Sequence, residues 1–283
     1  MIEFNPATED NPNLDFEFPE TMLPLIVESG GEKLLGTFFK ASGEKKKPLL
    51  ILLHGFPGNE TNYDIGHAVR RFGFNVAIFH YRGSWGSGGS FTISNSLEDV
   101  SAVVDYFNSE EIYSQYNVDN NKIILIGHSM GGFLSMLTSL KYEKIKNIGF
   151  LAGFNFGFFG EFLINNPQFK EITLEGLQDG PKFLKNSGAE KIYDEMIANK
   201  SNWNLLNHIN EFGNKNILMI GAEDDMVAPL QIHHYPLAEE LNKAGVKLHS
   251  FVYKTGHSFA STRIKLTTEI IKWLTEIELW KTK

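Results

Sequence analysis

The chain has 283 residues and not one cysteine. That absence removes disulfide frameworks, thiolate metal sites and cysteine nucleophiles from the functions open to it. Positive charge is also in short supply. Lysine and arginine number 26 against 34 aspartates and glutamates, a net charge of −8 with histidine neutral. An acidic surface repels phosphate backbones and anionic lipid, so neither nucleic acid nor a membrane is expected as a partner. The basic run Lys45-Lys46-Lys47 is short, lies between two strand-like segments and reads as a solvated loop. No stretch of about eighteen apolar residues suggests a membrane span. Residues 1–13, MIEFNPATEDNPN, lack the positive and apolar regions of a secretory leader, which makes a cytoplasmic location the expectation. What is left, 42% hydrophobic and 21% charged, is an ordinary globular composition.

The order of apolar runs gives the architecture. Residues 1–20 read as a loose polar arm. Leu23–Glu28 and Leu34–Lys40 flank Ser29-Gly30-Gly31-Glu32, the pattern of a β-hairpin. Leu49–Leu53 is then continuously apolar, as in a strand covered on both faces of a parallel sheet. Asn75–Phe79, Lys122–Ile126, Ile145–Leu151, Asn216–Ile220 and Val246–Tyr253 behave alike. Helix-like segments alternate with them at Thr61–Phe72, Ser94–Asn108, Met130–Tyr142, Leu230–Ala244 and Ser258–Trp273. Strand–helix alternation implies a mostly parallel sheet preceded by an antiparallel hairpin. Between 153 and 213 the alternation stops, and aromatic-rich helical sequence reads as an insertion after the sixth strand. The expected organisation is an arm (1–20), a core (21–152 and 214–283) and a lid insertion (153–213).

One segment carries chemistry. Gly127-His128-Ser129-Met130-Gly131 follows a buried strand and opens a helix. The glycines leave room for a sharply strained turn that holds the serine out as a nucleophile, at a helix N-terminus that favours developing negative charge. A serine hydroxyl needs a base. Of the nine histidines, His54, His67, His128, His208, His233, His234 and His249 occupy turn, helix or strand positions suited to structural roles, and His80 ends a strand. His257, in Thr255-Gly256-His257-Ser258, lies between the last strand and the last helix, at the carboxyl edge where open α/β sheets build their sites. The base needs an orienting carboxylate. Gly221-Ala222-Glu223-Asp224-Asp225 offers three after the preceding strand, with Asp224 first choice, Asp225 second and Glu223 third. Oxyanion donors are expected from the amides of Met130 and of Phe56, the latter in His54-Gly55-Phe56-Pro57-Gly58.

These motifs together resemble the α/β-hydrolase superfamily. The matching elements run from about Leu34 to Trp273 and include the glycine-rich loop Tyr81–Gly88, although a histidine stands at 80 where relatives often carry aspartate. Within the superfamily the chain resembles the small esterase and serine-aminopeptidase-like branch, which includes feruloyl and cinnamoyl esterases. The resemblance implies an eight-stranded sheet, the triad Ser129–Asp224–His257 in the family order, and a lid after strand six. A serine nucleophile argues against relatives that use aspartate, such as epoxide hydrolases. The expected activity is cofactor-free cleavage of a small-molecule carboxylic ester, with no metal. Amidase or aminopeptidase, thioesterase and a non-catalytic ligand binder are the alternatives. Lid acids at Glu161, Glu171, Glu175 and Asp179 would suit a substrate amine. Phe154, Phe156 and Phe158 are expected to line an apolar acyl or aryl pocket. The spacing of Gly83, Gly86, Gly88 and Gly89 is not a dinucleotide fingerprint.

Overall fold

Eight strands form one sheet in a computed structural model that describes residues 4–13 and 15–277. The expected arm over 1–20 and the end of the core segment 214–283 lie in part outside the described residues. Strands β1 (Thr21–Ser29) and β2 (Glu32–Lys40) pair antiparallel through Gly30 and Gly31, whose φ angles of 56° and 77° suit the tight hairpin turn. Then come β3 (Lys47–Leu53), α1 (Tyr63–Phe72), β4 (Asn75–Phe79), α2 (Ile93–Asn108), α3 (Glu110–Gln115) and β5 (Val118–His128). Helix α4 (Met130–Ser139) and β6 (Asn147–Leu151) lead into the insertion. That insertion holds α5 (Phe156–Asn165), α6 (Lys170–Leu177) and α7 (Ala189–Trp203). The chain closes with β7 (Asn216–Ala222), α8 (Leu230–His233), α9 (Tyr235–Lys243), β8 (Lys247–Tyr253) and α10 (Arg263–Glu276). The spatial order is β1-β2-β4-β3-β5-β6-β7-β8, antiparallel up to β4 and parallel beyond.

The two periodicities of the sequence meet here. In β3, Leu49, Ile51 and Leu53 face one core with α2 and α4, while Leu50 and Leu52 face another with α1 and α10. Alternation with both faces covered is why this strand reads as an unbroken apolar run. Each such side chain withdrawn from water contributes about 1.5–3 kcal/mol. Among the described residues no helix is long and apolar enough to cross a membrane.

Three expected elements differ, each for a physical reason. The segment Leu230–Ala244 splits at His234, where Pro236 enters the next helix in its first turn. Helix α4 stops at Ser139, because the buried Lys215 ammonium takes up the carbonyls of Ser139, Tyr142 and Ile145 at 2.9, 3.2 and 2.7 Å. The last helix begins at Arg263 rather than near Ser258, and the intervening loop carries Phe259 buried at φ 56°. The arm is not loose along its described part: the Arg71 guanidinium donates twice to the Pro6 carbonyl, and Glu20 pairs with Arg70 at 3.1 Å.

The insertion docks through apolar packing, with Phe156 and Trp203 against Phe133, and through polar contacts. The Glu195 carboxylate on α7 accepts the first amides of α2, Ile93 and Ser94, at 2.8 Å each. Trp85 stacks on Phe183 with ring centroids 5.7 Å apart. Lys185 exchanges main-chain bonds with Gly83 and Phe91.

Candidate active site

The register of the parallel strands brings the ends of β3, β5, β7 and β8 to one edge. Leu53 of β3 faces Gly127 of β5, so the loops that follow open beside each other. At the end of β5 the chain reverses into α4 within a single residue. Ser129 holds φ 56° and ψ −121°, a region that costs a non-glycine residue on the order of 1–3 kcal/mol. Neighbouring backbone fixes it there. The Ser129 amide donates to the Leu151 carbonyl at 2.9 Å, and its own carbonyl accepts from Gly132 and Phe154. The flanking glycines are sterically required: a Cβ on Gly127 would overlap the Gly131 carbonyl, and one on Gly131 would overlap the Leu53 carbonyl. A Cβ on Gly55 would come within 2.9 Å of the Ser129 Cβ, so the loop after β3 lies against the serine.

His257 sits in the loop after β8, and its side chain is 20% exposed. Its Nδ1 lies 2.7 Å from Oδ2 of Asp225, not of Asp224. The sequence-based choice of acid is therefore corrected. Past β7 the extended pairing continues, with the amide of Glu223 donating to the Tyr253 carbonyl and that of Asp224 to the Thr255 carbonyl. Glu223 and Asp224 remain exposed, and Asp225 is the first carboxylate turned inward, where its side chain is fully buried. Its other oxygen accepts the amides of Val227 and Ala228, both at 2.8 Å. Burial by itself would raise this carboxyl, but the His257 bond, the histidine's charge and the two amides outweigh it and hold the group below the usual carboxylate range. An ionised carboxylate only accepts, so Nδ1 of His257 carries the proton and Nε2 is left with its lone pair.

The expected oxyanion donors frame the serine. Met130 is the first residue of α4, whose amide has no carbonyl one turn earlier in the helix. Phe56 and Met130 both line the cavity that opens at Ser129. The Phe56 loop is braced from the Tyr81–Gly88 segment: the Tyr81 hydroxyl donates to the His54 carbonyl at 2.9 Å and Trp85 Nε1 to the Pro57 carbonyl at 2.7 Å. His54 Nδ1 meets the Gly55 carbonyl at 2.7 Å, and its Nε2 lies 3.3 Å from His80 Nδ1. Burial, with His80 alongside, pushes His54 down to about 3, so it is a neutral spacer. His80 therefore supports this loop from beneath.

The cavity at Ser129 has a volume of about 80 Å³ and contains no charged wall. Phe154 and Phe156 line it, whereas Phe158, half-buried on α5, does not. The remaining walls, Ile93, Leu177, Ile192 and Val227, come from α2, α6, α7 and the loop after β7. Sequence gave no signal for them beyond apolar character. A wider apolar groove of about 450 Å³ shares Phe154, Leu177 and Val227 with this chamber. On the other side of Phe56 lies a polar cleft of about 230 Å³ bounded by Asn59, Glu60, His257 and Ser258. Of the lid acids, Glu161 accepts from Asn204 at 2.9 Å and Asp179 is fully exposed beside Lys182, and neither lines the chamber.

Comparison with known proteins agrees with this topology. The alpha/beta hydrolase fold family matches residues 48–186. A proline iminopeptidase of Saccharolobus solfataricus is 30% identical over 129 residues, covering 42% of this chain and 38% of that protein. A putative esterase/lipase of Mycoplasma genitalium is 24% identical over 256 residues, covering 82% of this chain and 91% of the relative. The chain spans well under half the length of several curated relatives it matches, epoxide hydrolases among them. Est1E from Butyrivibrio proteoclasticus, solved with ferulic acid bound, superposes with a TM-score of 0.66 at 20% identity, over 91% of this chain and 100% of that one. By sheet order, by the insertion after the sixth strand and by the matched segment, the chain has the α/β-hydrolase fold.

Proposed function

We propose that the protein is a serine hydrolase cleaving small acyl or aryl carboxylic esters. One observation carries the reading: Ser129, held at a strained left-handed turn on a helix N-terminus, shares its sheet edge with a histidine whose Nδ1 is bonded to a buried carboxylate. In this reading Nε2 of His257 takes the Ser129 proton as Oγ attacks the ester carbonyl carbon. The amides of Phe56 and Met130 receive the charge that moves onto the carbonyl oxygen. Collapse of the tetrahedral intermediate breaks the bond to the alcohol oxygen, which leaves with the proton from His257. Water then adds to the acyl-enzyme by the same route, and the freed acid restores Ser129. Asp225 stays ionised throughout and stabilises the imidazolium that forms.

The two clefts give the substrate a direction. The uncharged chamber suits the acyl side, and the polar cleft past Phe56 suits the departing alcohol. A substrate amine finds no carboxylate in the chamber, which favours ester over aminopeptidase activity. A hydroxyl nucleophile separates this site from relatives that attack epoxides with a carboxylate. The test is a panel of p-nitrophenyl esters of graded acyl length, aryl esters and aminoacyl amides, with Ser129→Ala as control and fluorophosphonate labelling read at Ser129 by mass spectrometry. Turnover of short esters with labelling supports the reading. A wild-type protein that neither labels nor turns over any of them is a ligand binder instead.

A further inference from the structure

His128, the residue before the nucleophile, is occupied in an unusual way. Its ring is buried, and its Nε2 lies 2.8 Å from the main-chain carbonyl of His257, 129 positions along the chain. A carbonyl oxygen only accepts, so Nε2 bears the hydrogen and donates. Nδ1 is then an unprotonated acceptor, and it is buried with no partner among the described residues. The two imidazoles lie 4.8 Å apart at an angle of 47°, and Phe259 meets the His128 ring edge-on with centroids 6.2 Å apart. A buried acceptor without a donor carries an uncompensated desolvation cost. His128 also borders the cleft it shares with His257, and a leucine or phenylalanine could fill the space but could not donate to the His257 carbonyl.

Resting on the hydrolase reading above, we propose that His128 is a positioning residue that ties the His257 loop to the nucleophile's own turn. The ring of His257 is held from one side, by Asp225 on the loop after β7. Its main chain is held from another, by the residue covalently joined to Ser129. Other bonds of that loop run elsewhere: Thr255 Oγ1 to Ser261, the Asp224 amide to the Thr255 carbonyl, and Arg263 to the Ser258 carbonyl. None of these refers to the serine. The His128 bond alone among them sets the loop relative to Ser129, and a shift of about 1 Å at such a point costs on the order of a hundredfold in rate. The strut must stay neutral to leave its geometry and the charge near His257 undisturbed. Burial, aided by the neighbouring His257, holds His128 at about 3.

The test replaces the donor and then restores it. His128→Leu removes the N–H and His128→Gln returns an amide N–H at similar reach. With p-nitrophenyl acetate, His128→Leu is expected to lose about 10- to 100-fold in kcat with KM within about twofold, and His128→Gln to recover most of that loss. A folded His128→Leu enzyme with wild-type kcat overturns the proposal. So does equal loss in both variants, or a loss confined to KM. Should neither variant fold, imidazole nitrogen shifts of the wild-type protein decide. A neutral Nε2–H tautomer of His128 persisting down to about pH 5 supports the strut, and an Nδ1–H tautomer overturns it. Fluorophosphonate labelling of wild-type Ser129 separates the two levels. A labelled enzyme indifferent to His128→Leu overturns the strut alone, whereas an unlabelled and inactive wild type overturns the hydrolase reading and the strut with it.

Discussion

The turn that carries Ser129 and the insertion above it are built on opposite terms. At the turn, backbone meets backbone: glycines are required because carbonyls of Leu53 and Gly131 occupy the space a side chain would need. In the insertion, side chains meet side chains across an apolar chamber, and several remain open to water, Ile172 at 64% and Phe183 at 58% exposed. The insertion is joined to the body by apolar packing, Phe156 and Trp203 against Phe133, and by polar contacts such as Glu195 on the first amides of α2. On the hydrolase reading proposed above, the difference assigns reactivity to the backbone-packed edge and selectivity to the side-chain-built cover.

Breaking the edge has the largest expected effect. Ser129→Ala should lower ester turnover by about 10⁵-fold or more, measured as kcat on the best p-nitrophenyl ester. Asp225→Asn should cost about 10³- to 10⁴-fold through the wrong histidine tautomer, while Asp224→Asn, altering an exposed side chain, should stay within about threefold. Equal effects at 224 and 225 would mean the buried carboxylate is not the partner that matters.

The edge is also the acid-sensitive part. His54, His128 and His233 are held at about 3 and His234 at about 4, chiefly by burial, whereas unfolded histidines titrate near 6.5. Between those values the unfolded chain binds more protons, so this stability is intact above about pH 6.5 and lost as pH falls. With up to four extra protons the slope approaches about 5 kcal/mol per pH unit. Asp225 adds to the loss lower down, because its depressed carboxyl stabilises the fold only above the ordinary carboxylate pKa near 4. Urea unfolding at pH 8, 6.5 and 5 measures the slope; no change in the midpoint would contradict it.

Changes in the cover should move preference rather than rate. Leu177→Ala thins the wall between the small chamber and the larger groove, and should raise kcat/KM for octanoyl relative to acetyl esters by about tenfold. The smallest effect is expected at the anchor. Glu195→Gln weakens a charge-assisted cap on α2 and should cost about 1 kcal/mol, seen as a melting temperature lower by about 2–4 °C. Hydrogen exchange should quicken in α7 while the amides around Ser129 stay protected.

The same contrast decides what was legible in the sequence. Backbone demands leave marks in residue type: apolar runs located every strand of the sheet, paired glycines the hairpin, and Gly127 and Gly131 the strained serine. Asp225 was a near miss: of three adjacent carboxylates after β7, Glu223 and Asp224 stay exposed and only Asp225 is buried against His257, a difference set by tertiary placement. The chamber was half legible. Phe154 and Phe156 follow β6 directly, but Phe158 points elsewhere, and Leu177, Ile192 and Val227 reach the site only through tertiary packing that no local pattern encodes. The strut from His128 could not be read at all, since the atom that accepts its proton is main chain.

The most direct measurement is the crystal structure of the protein after reaction with a small alkyl fluorophosphonate. The account predicts phosphorus bonded to Ser129 Oγ, one phosphoryl oxygen facing the amides of Phe56 and Met130, and the His257 ring still paired with Asp225. An adduct on another residue, or a phosphoryl oxygen turned away from both amides, would contradict it.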